Sequence, residues 1–418
     1  MTDQSIHKSL LTNAIRVVTK NTPHAQTVAM GVYINVGARD ESNKESGLSH
    51  FIEHMIFKGT ASRDAYQIAK ELDSIGGHAN AFTAMEYSCF VARFYHSHLY
   101  KIIDILSDIF LSSIFDSKEI DRERQVVFQE IKMFEDTPDD YVNYLIGKAF
   151  FGDHPLGRSI LGTPETIQSF DSKTIQCYFR QRYSPEKLVI ALAGKIEHHA
   201  VVDRLEKAFG RIPNRNHSIK RERPRIYSKK SVQYRDLEQV HIGLVAEGYA
   251  LDSPERYPFS VINIILGGNM SSMLFQEIRE RNGLAYSIYS SPIMFSDCGM
   301  QTIFLSIAPS KVKETLNLLK QTFEKLIQKK ISESTLSEAK EYAKATIQLS
   351  EESIHNQMIR LGQSELFYKR YLSVEEIIEH IEYVTVSDIQ QMAQEILNID
   401  SMAIAFLGPV DESVMNCL

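Results

Sequence analysis

The chain has 418 residues, 43% of them hydrophobic and 24% charged, with a formal net charge of -7. That describes an ordinary globular protein, long enough for two domains or one large composite. It argues against a basic nucleic-acid surface, and no run of about 18 uncharged apolar residues offers a membrane span. The four cysteines, Cys89, Cys177, Cys298 and Cys417, are far apart and form no Cys-x-x-Cys pair. They read as reduced thiols in a reducing compartment. The N-terminus has neither the basic start and apolar core of a secretory signal nor an arginine-rich transit segment. The expected location is therefore cytoplasmic, with an organellar matrix or the periplasm as alternatives.

Thr27 to Val36 alternates, with Val28, Met30, Val32, Ile34 and Val36 on one side, and predicts a strand. A polar connection, 37–46, leads into Gly-Leu-Ser-His-Phe-Ile-Glu-His-Met-Ile-Phe-Lys-Gly, Gly47 to Gly59. This stretch predicts a helix of about three turns, stopped by Gly59. Leu48, Phe51, Ile52, Met55 and Ile56 form its apolar stripe. His50, Glu53 and His54 fall on the opposite side, with the two imidazoles one turn apart. Two neutral histidines in that relation suit a metal ion, and His-x-x-Glu-His is the inverted zinc metalloprotease signature. The plain alternative is a solvated helix face. A catalytic zinc takes three protein ligands and leaves one position for water, so a third ligand has to come from elsewhere.

Asp64 to Ile75 predicts a helix, with Asp64 as N-cap and Gly76-Gly77 closing it. His78 to Phe94 predicts a strand in two parts, and Leu99 to Leu111 an amphipathic helix. The next helix, Ser117 to Phe134, has an apolar stripe of Ile120, Val127, Ile131 and Phe134, with Val126 at its margin. Glu123 and Glu130 lie on that same stripe. A carboxylate among buried apolar neighbours is costly unless a cation or several donors meet it. Buried arginines, an interface or a metal would each answer that need; beside His-x-x-Glu-His the metal is the better explanation. Loops at Asp153–Gly157 and Gly162–Glu165 precede a short helix, Pro164 to Phe170. His78 and His154 are spare metal candidates, more simply read as loop histidines. Leu188 to Ala193 predicts a strand, His199 to Phe209 a helix, and Arg211 to Lys230 a solvated linker.

The second half repeats this order. Val240 to Ala246 is a strand, Tyr257 to Leu266 a helix closed by Gly267-Gly268, and Met300 to Ile307 a strand feeding the helix Val312 to Ile327. Ser332 to Leu349 matches the Glu123/Glu130 helix, and aligning Ile120 with Leu336 sets Ala339 opposite Glu123 and Thr346 opposite Glu130. The early helix of the second copy has no histidine. A duplicated unit that carries its metal residues in one copy only points to function, since the other copy dispenses with them.

These residues together resemble the pitrilysin or insulinase family of zinc peptidases. The length is similar to the short branch that includes the mitochondrial processing peptidase β-subunit and its bacterial relatives. The resemblance covers nearly the whole chain. It includes Ser271 to Ser287, where Arg279 and Tyr286 sit seven apart like the family's arginine–tyrosine motif; on its own that pair reads as a surface arginine and a packed tyrosine. One departure is Ala14, where the family usually has glycine.

The resemblance implies an α+β fold: two duplicated α/β domains, each a mostly antiparallel sheet with helices packed on it, joined by a linker into half a clamshell. The domains would be 1–210, carrying the zinc site, and 231–418, with a linker at 211–230. It implies one Zn²⁺ per chain held by His50, His54 and Glu130, with Glu123 supporting the ligands. Glu53 would be the general base, and Arg279 and Tyr286 would bind the substrate carbonyl and stabilise its oxyanion. Asn80, Ala81 and Phe82 would lie on an edge strand against which a peptide adds as a further strand. The implied activity is hydrolysis of unfolded peptides or presequence-like segments within a chamber. The implied assembly is a homodimer in which one subunit's Arg279 and Tyr286 serve the other's zinc, with a heterodimer with a related subunit as an alternative. The competing reading is a non-catalytic or partner-dependent subunit of a processing-peptidase-like complex.

Overall fold

The computed structural model describes residues 5–214 and 220–417. The first sheet contains β1 (Ile6–Leu10), β2 (Arg16–Asn21), β3 (Thr27–Ile34), β4 (His78–Thr83), β5 (Ser88–Tyr95) and β6 (Leu188–Gly194). Their spatial order is β1-β2-β6-β3-β5-β4, and every pair is antiparallel except β2 with β6. The second sheet contains β7 (Lys230–Tyr234), β8 (Val240–Gly248), β9 (Ala285–Met294), β10 (Gly299–Ile307) and β11 (Ala403–Gly408), in the order β7-β11-β8-β10-β9. Its one parallel pair is β7 with β11. Removing β1 turns the first order into the second, strand for strand, so the duplication inferred from element order is present in the topology.

On one face of the first sheet, β3 contributes Val28, Met30, Val32 and Ile34 to a core shared with the helices Leu48–Met55, Leu99–Ser112, Ser172–Arg182 and His198–Phe209. The other face is also apolar, with Val18, Ala29, Tyr33, Cys89, Val91, Val189, Ala191 and Ala193, and the helix Ile354–Tyr368 covers it with Met358, Leu361 and Leu366. β3 is thus buried on both sides, the condition under which a strand reads as a continuous apolar run. In the second sheet the helix Pro138–Phe151 packs in the same way on β8 and β11. A glycine in the central strand makes room each time. A Cβ on Gly31 would stand 2.6 Å from Met358 Sδ, and one on Gly243 would stand 2.5 Å from Ile146 Cγ2. The two glycines hold the same register position, Gly31 facing Ala191 and Gly243 facing Ala405.

The compact units are consequently not contiguous in sequence. The first is Met1–Lys132, Ser159–Arg221 and Leu349–Ser373; the second is Met133–Arg158, Glu222–Gln348 and Val374–Leu418. The division expected at 1–210 and 231–418 needs this correction: residues 133–158 belong with the second unit and 349–373 with the first. Each sheet has two apolar faces, and each half of the sequence covers the second face of the other half's sheet. The expected linker is fixed at Arg221, whose guanidinium forks onto Asp40 (Nε to Oδ1 2.9 Å, Nη2 to Oδ2 2.8 Å); residues 215–219 lie outside the described residues. Among the described residues no helix is long and apolar enough to cross a membrane.

Candidate metal centre and active site

The motif helix is two turns long, Leu48–Met55, rather than running to Gly59. The chain leaves the helical path because Gly59 bridges to Asp64 and Thr60 to Ser113. Its start is fixed from outside: Glu41 accepts hydrogen bonds from the backbone N–H of Gly47 (Oε2, 2.7 Å) and of Ser49 (Oε1, 2.7 Å). A carboxylate there satisfies free N–H groups and complements the helix dipole. Gly47 itself has φ 91°, a left-handed conformation that glycine adopts without strain. Leu48, Phe51, Ile52, Met55 and Ile56 are all buried, which locks the rotation of the helix and turns His50 and His54 towards the helix Ser117–Asp136.

On that second helix Ile120, Glu123, Val127 and Ile131 are buried, while Val126 is exposed. Glu130 Oε2 lies 3.5 Å from His50 Nε2 and 3.3 Å from His54 Nε2. The three ligand atoms lie within 4.8 Å of one another. His54 Nδ1 faces Glu123 Oε2 at 3.1 Å, and Lys58 Nζ meets the other oxygen, Oε1, at 2.6 Å. Glu123 is only 6% exposed, so its charge is answered by an imidazole and an ammonium. A carboxylate behind a histidine fixes the ring and leaves the far nitrogen, Nε2, free to bind a metal.

Two neutral imidazole nitrogens and a carboxylate oxygen at these separations repel one another unless a proton or a cation lies between them. Burial disfavours a charged His54, yet hydrogen bonds to Glu123 and Glu130 outweigh it and raise its pKa to about 9. Hydrogen bonds from His50 and His54 hold Glu130 far below the usual carboxylate range. Glu123 is lowered too, its burial outweighed by His54 and Lys58. The pocket therefore favours positive charge, and its two imidazoles and one carboxylate fit a zinc-type cation. Among the described residues the buried His50 Nδ1 has no hydrogen-bond partner.

Glu53 Oε2 accepts a hydrogen bond from Thr83 Oγ1 (2.7 Å), at the end of β4. Glu53 and His54 open onto a cleft of about 380 Å³ with an apolar wall, Phe57, Ile68 and Leu72, and a floor along Ala79, Asn80 and Ala81. β4 is the outer strand of its sheet. Asn80 Oδ1 accepts from the Ala81 N–H at 2.9 Å. Phe82 points to the opposite face of the sheet, against Tyr87 with ring centroids 5.7 Å apart. Arg279 and Tyr286 belong to the second unit. Arg279 lies in the last turn of a π-helical stretch, Phe275–Glu280, with its guanidinium 4.7 Å from the Phe275 ring centre and 5.9 Å from that of Tyr286. Tyr286 is 77% exposed. His154 caps a loop, accepting from Leu156 N–H and meeting Glu222 O, and His78 lies on β4; neither belongs to the metal cluster. Thr83, Lys58 and Glu41 were not legible as site residues. Each is a common residue in or beside a loop, and only its contact gives it a role.

A duplicated sheet-and-helix chain with one His₂–Glu centre in its first copy is the class defined by fold and site. The model of the insulinase family, peptidase family M16, matches residues 16–164, and that of the M16 inactive domain matches residues 169–342. An uncharacterized zinc protease of Bacillus subtilis, YmxG, is 37% identical over 397 residues, covering 95% of this chain and 97% of the relative. One from Streptomyces coelicolor, SCO5738, is 32% identical, covering 98% and 90%. The chain belongs to the insulinase family, peptidase family M16. The crystal structure of a protease from Helicobacter pylori superposes with a TM-score of 0.89 at 21% identity, covering 97% of this chain and 99% of that one. The same fold recurs in a peptidase M16 inactive domain from Pseudomonas fluorescens, with a TM-score of 0.91 at 18% identity and coverage of 97% and 98%.

Proposed function

We propose that the chain is a zinc-dependent endopeptidase, cytoplasmic in location, that hydrolyses unfolded peptides or presequence-like segments. The observation that carries this reading is the convergence of His50, His54 and Glu130 beside Glu53, at a cleft that runs along a sheet edge. One zinc per chain, when bound, supplies Lewis acidity that polarises a peptide carbonyl and acidifies water. Glu53, held by Thr83, accepts the proton that water loses and returns it to the leaving amine. Glu123 orients His54. The edge of β4 offers main-chain groups at Asn80 and Ala81, so the substrate adds as a strand and its side chains are read only by the pockets they reach. A substrate carbonyl competing for the Ala81 N–H displaces the Asn80 side chain.

Hydrolysis of a quenched fluorescent peptide library should vanish with a chelator and return with zinc. Glu53→Gln should keep its zinc and lose about 10² to 10⁴ in turnover; full turnover in a zinc-loaded Glu53→Gln protein would sink the assignment. The relatives named zinc proteases support the same reading.

The exposed Tyr286 phenol and its neighbour Arg279 suit a substrate oxyanion supplied from outside their own unit. We place them at the zinc of a second copy, in a homodimer whose halves enclose a chamber. Equilibrated mixtures of Glu53→Gln and Tyr286→Phe chains should then regain activity through hybrid dimers, up to about a quarter of the wild-type rate per mole. Mixtures no more active than their components rule out the shared site.

A further inference from the structure

β4 has two faces, and the catalytic cleft uses one of them. Successive side chains of a strand point to opposite sides, so Ala79 and Ala81 join the core on the cleft side while His78 and Phe82 face the other way. Register pairs His78 with Arg93 of β5, which puts both side chains on that second face. The helix Ile354–Tyr368 lies on this face and carries His355 towards them. Burial, followed by the charges of Arg93 and His78, lowers the His355 pKa. At the other end of the strand the same face is apolar, with Phe82 against Tyr87 and Tyr87 against Phe367, both at 5.7 Å. The edge is therefore graded, apolar near Glu53 and cationic at Arg93.

Among the described residues the cationic end has no counter-ion. Other cations on this face are paired: Arg16 with Glu365 at 3.1 Å, Lys20 with Glu351 at 2.9 Å and Arg360 with Glu351 at 3.0 Å. Among the described residues Arg93 has no ion-pair or hydrogen-bond partner for its guanidinium, and His78 and His355 have no side-chain hydrogen bond. Arg93 supplies fixed charge and the two imidazoles supply N–H donors, a set that matches a carboxylate.

We propose that His78, Arg93 and His355 form a subsite for an acidic side chain of the peptide lying along β4. This rests on the peptidase reading above. Strand rise is about 3.3 Å per residue, and His78 is five residues from Thr83, which holds the base. The subsite therefore reads a residue three to five positions from the bond that is cut. An added strand sends alternate side chains to this face, so an acid there is recognised while its neighbours face the cleft. A peptide's terminal carboxylate offers the same chemistry, and the test separates the two.

The full chain carrying Glu53→Gln is titrated by fluorescence anisotropy with labelled twelve-residue peptides, neutral except for one Glu, Gln or Lys moved through each position. Every peptide is made with a free and an amidated C-terminus. At least one position in the amidated series should bind about fivefold tighter with Glu than with Gln, the size of a half-exposed charge pair, and the gain should shrink with salt. Adding Arg93→Glu, at an exposed site that folding tolerates, should reverse the preference to Lys at that position. His355→Gln should reduce the gain about twofold.

A flat profile, or a Glu preference that survives Arg93→Glu, overturns the subsite. A gain confined to free C-termini assigns the site to a terminal carboxylate and overturns the side-chain reading. Binding that follows the expected pattern while the wild-type chain cleaves nothing leaves the subsite standing and overturns the peptidase reading. No measurable binding by any peptide overturns both.

Discussion

The helices Ser117–Asp136 and Glu333–Ser350 occupy equivalent places in the two copies, yet the first carries a candidate metal ligand, Glu130, and the second has Thr346 there. Ile120 and Leu336 are buried at 2% and 3% exposure, and Val127 and Ala343 are likewise inside. Between them the first copy buries Glu123 where the second buries Ala339. The second copy shows what the scaffold requires, which is a small apolar residue. The carboxylate in the first is an addition that costs free energy unless His54 and Lys58 answer it. Comparing the copies thus separates what holds the fold from what serves the site, without reference to any other protein.

That comparison can be broken most decisively at the ligand. Glu130→Thr writes the second copy's residue into the first; bound zinc, measured by mass spectrometry of the native protein, should fall from about one per chain to a small fraction, and hydrolysis should be lost. Far-ultraviolet circular dichroism should stay unchanged, because Glu130 is half-exposed and Thr346 is tolerated at the matching position. A Glu130→Thr chain that retains its zinc would show that the third ligand lies elsewhere. A smaller effect is expected one step behind the metal. Glu123→Ala should weaken zinc affinity by about 10- to 100-fold and lower the thermal stability of the metal-free protein only slightly, since His54 and Lys58 lose a partner but both reach solvent. A marked fall in metal-free stability would mean that Glu123 serves the fold after all.

The smallest effect concerns β1, which has no counterpart among the described residues of the second sheet. The turn into β2 holds Ala14 at φ 74°, a conformation that costs a non-glycine residue about 1 kcal/mol. Ala14→Gly should raise stability by about that amount in urea unfolding, with zinc content unaltered.

The motif helix was legible because its signal is local: one stripe, one pair of histidines, one intervening glutamate. Glu123 and Glu130 were legible as anomalies, being acids on an apolar stripe. The left-handed turn at residue 14 was visible only through the departure from glycine in a family pattern. The helix Ile354–Tyr368 was not read at all, and its composition explains why. Its buried face includes Gln357, Gly362, Ser364 and Glu365, which break the apolar period. Glu365 is buried because Lys8 at 2.7 Å and Arg16 at 3.1 Å meet it, partners some 350 residues away in sequence. Gly362 is there because the Tyr33 ring lies where its Cβ would stand. Thr83 and Glu41 escaped for a similar reason: a threonine or a glutamate acquires a role only from what folding brings beside it.

The exchange of covering helices sets a timetable for synthesis. All six strands of the first sheet exist once residue 194 has been made, but the helix that covers their second face ends at Tyr368. At about 5 to 20 residues per second, that face waits roughly 10 to 35 seconds on the ribosome before its cover is complete. Until then the strip of Ala29, Tyr33, Val91, Val189 and Ala191 lacks its cover, and exposed apolar surface of that kind makes a partly folded chain prone to aggregate. The first unit is thus begun earliest in translation and among the last to be finished, since part of it, Leu349–Ser373, is made late.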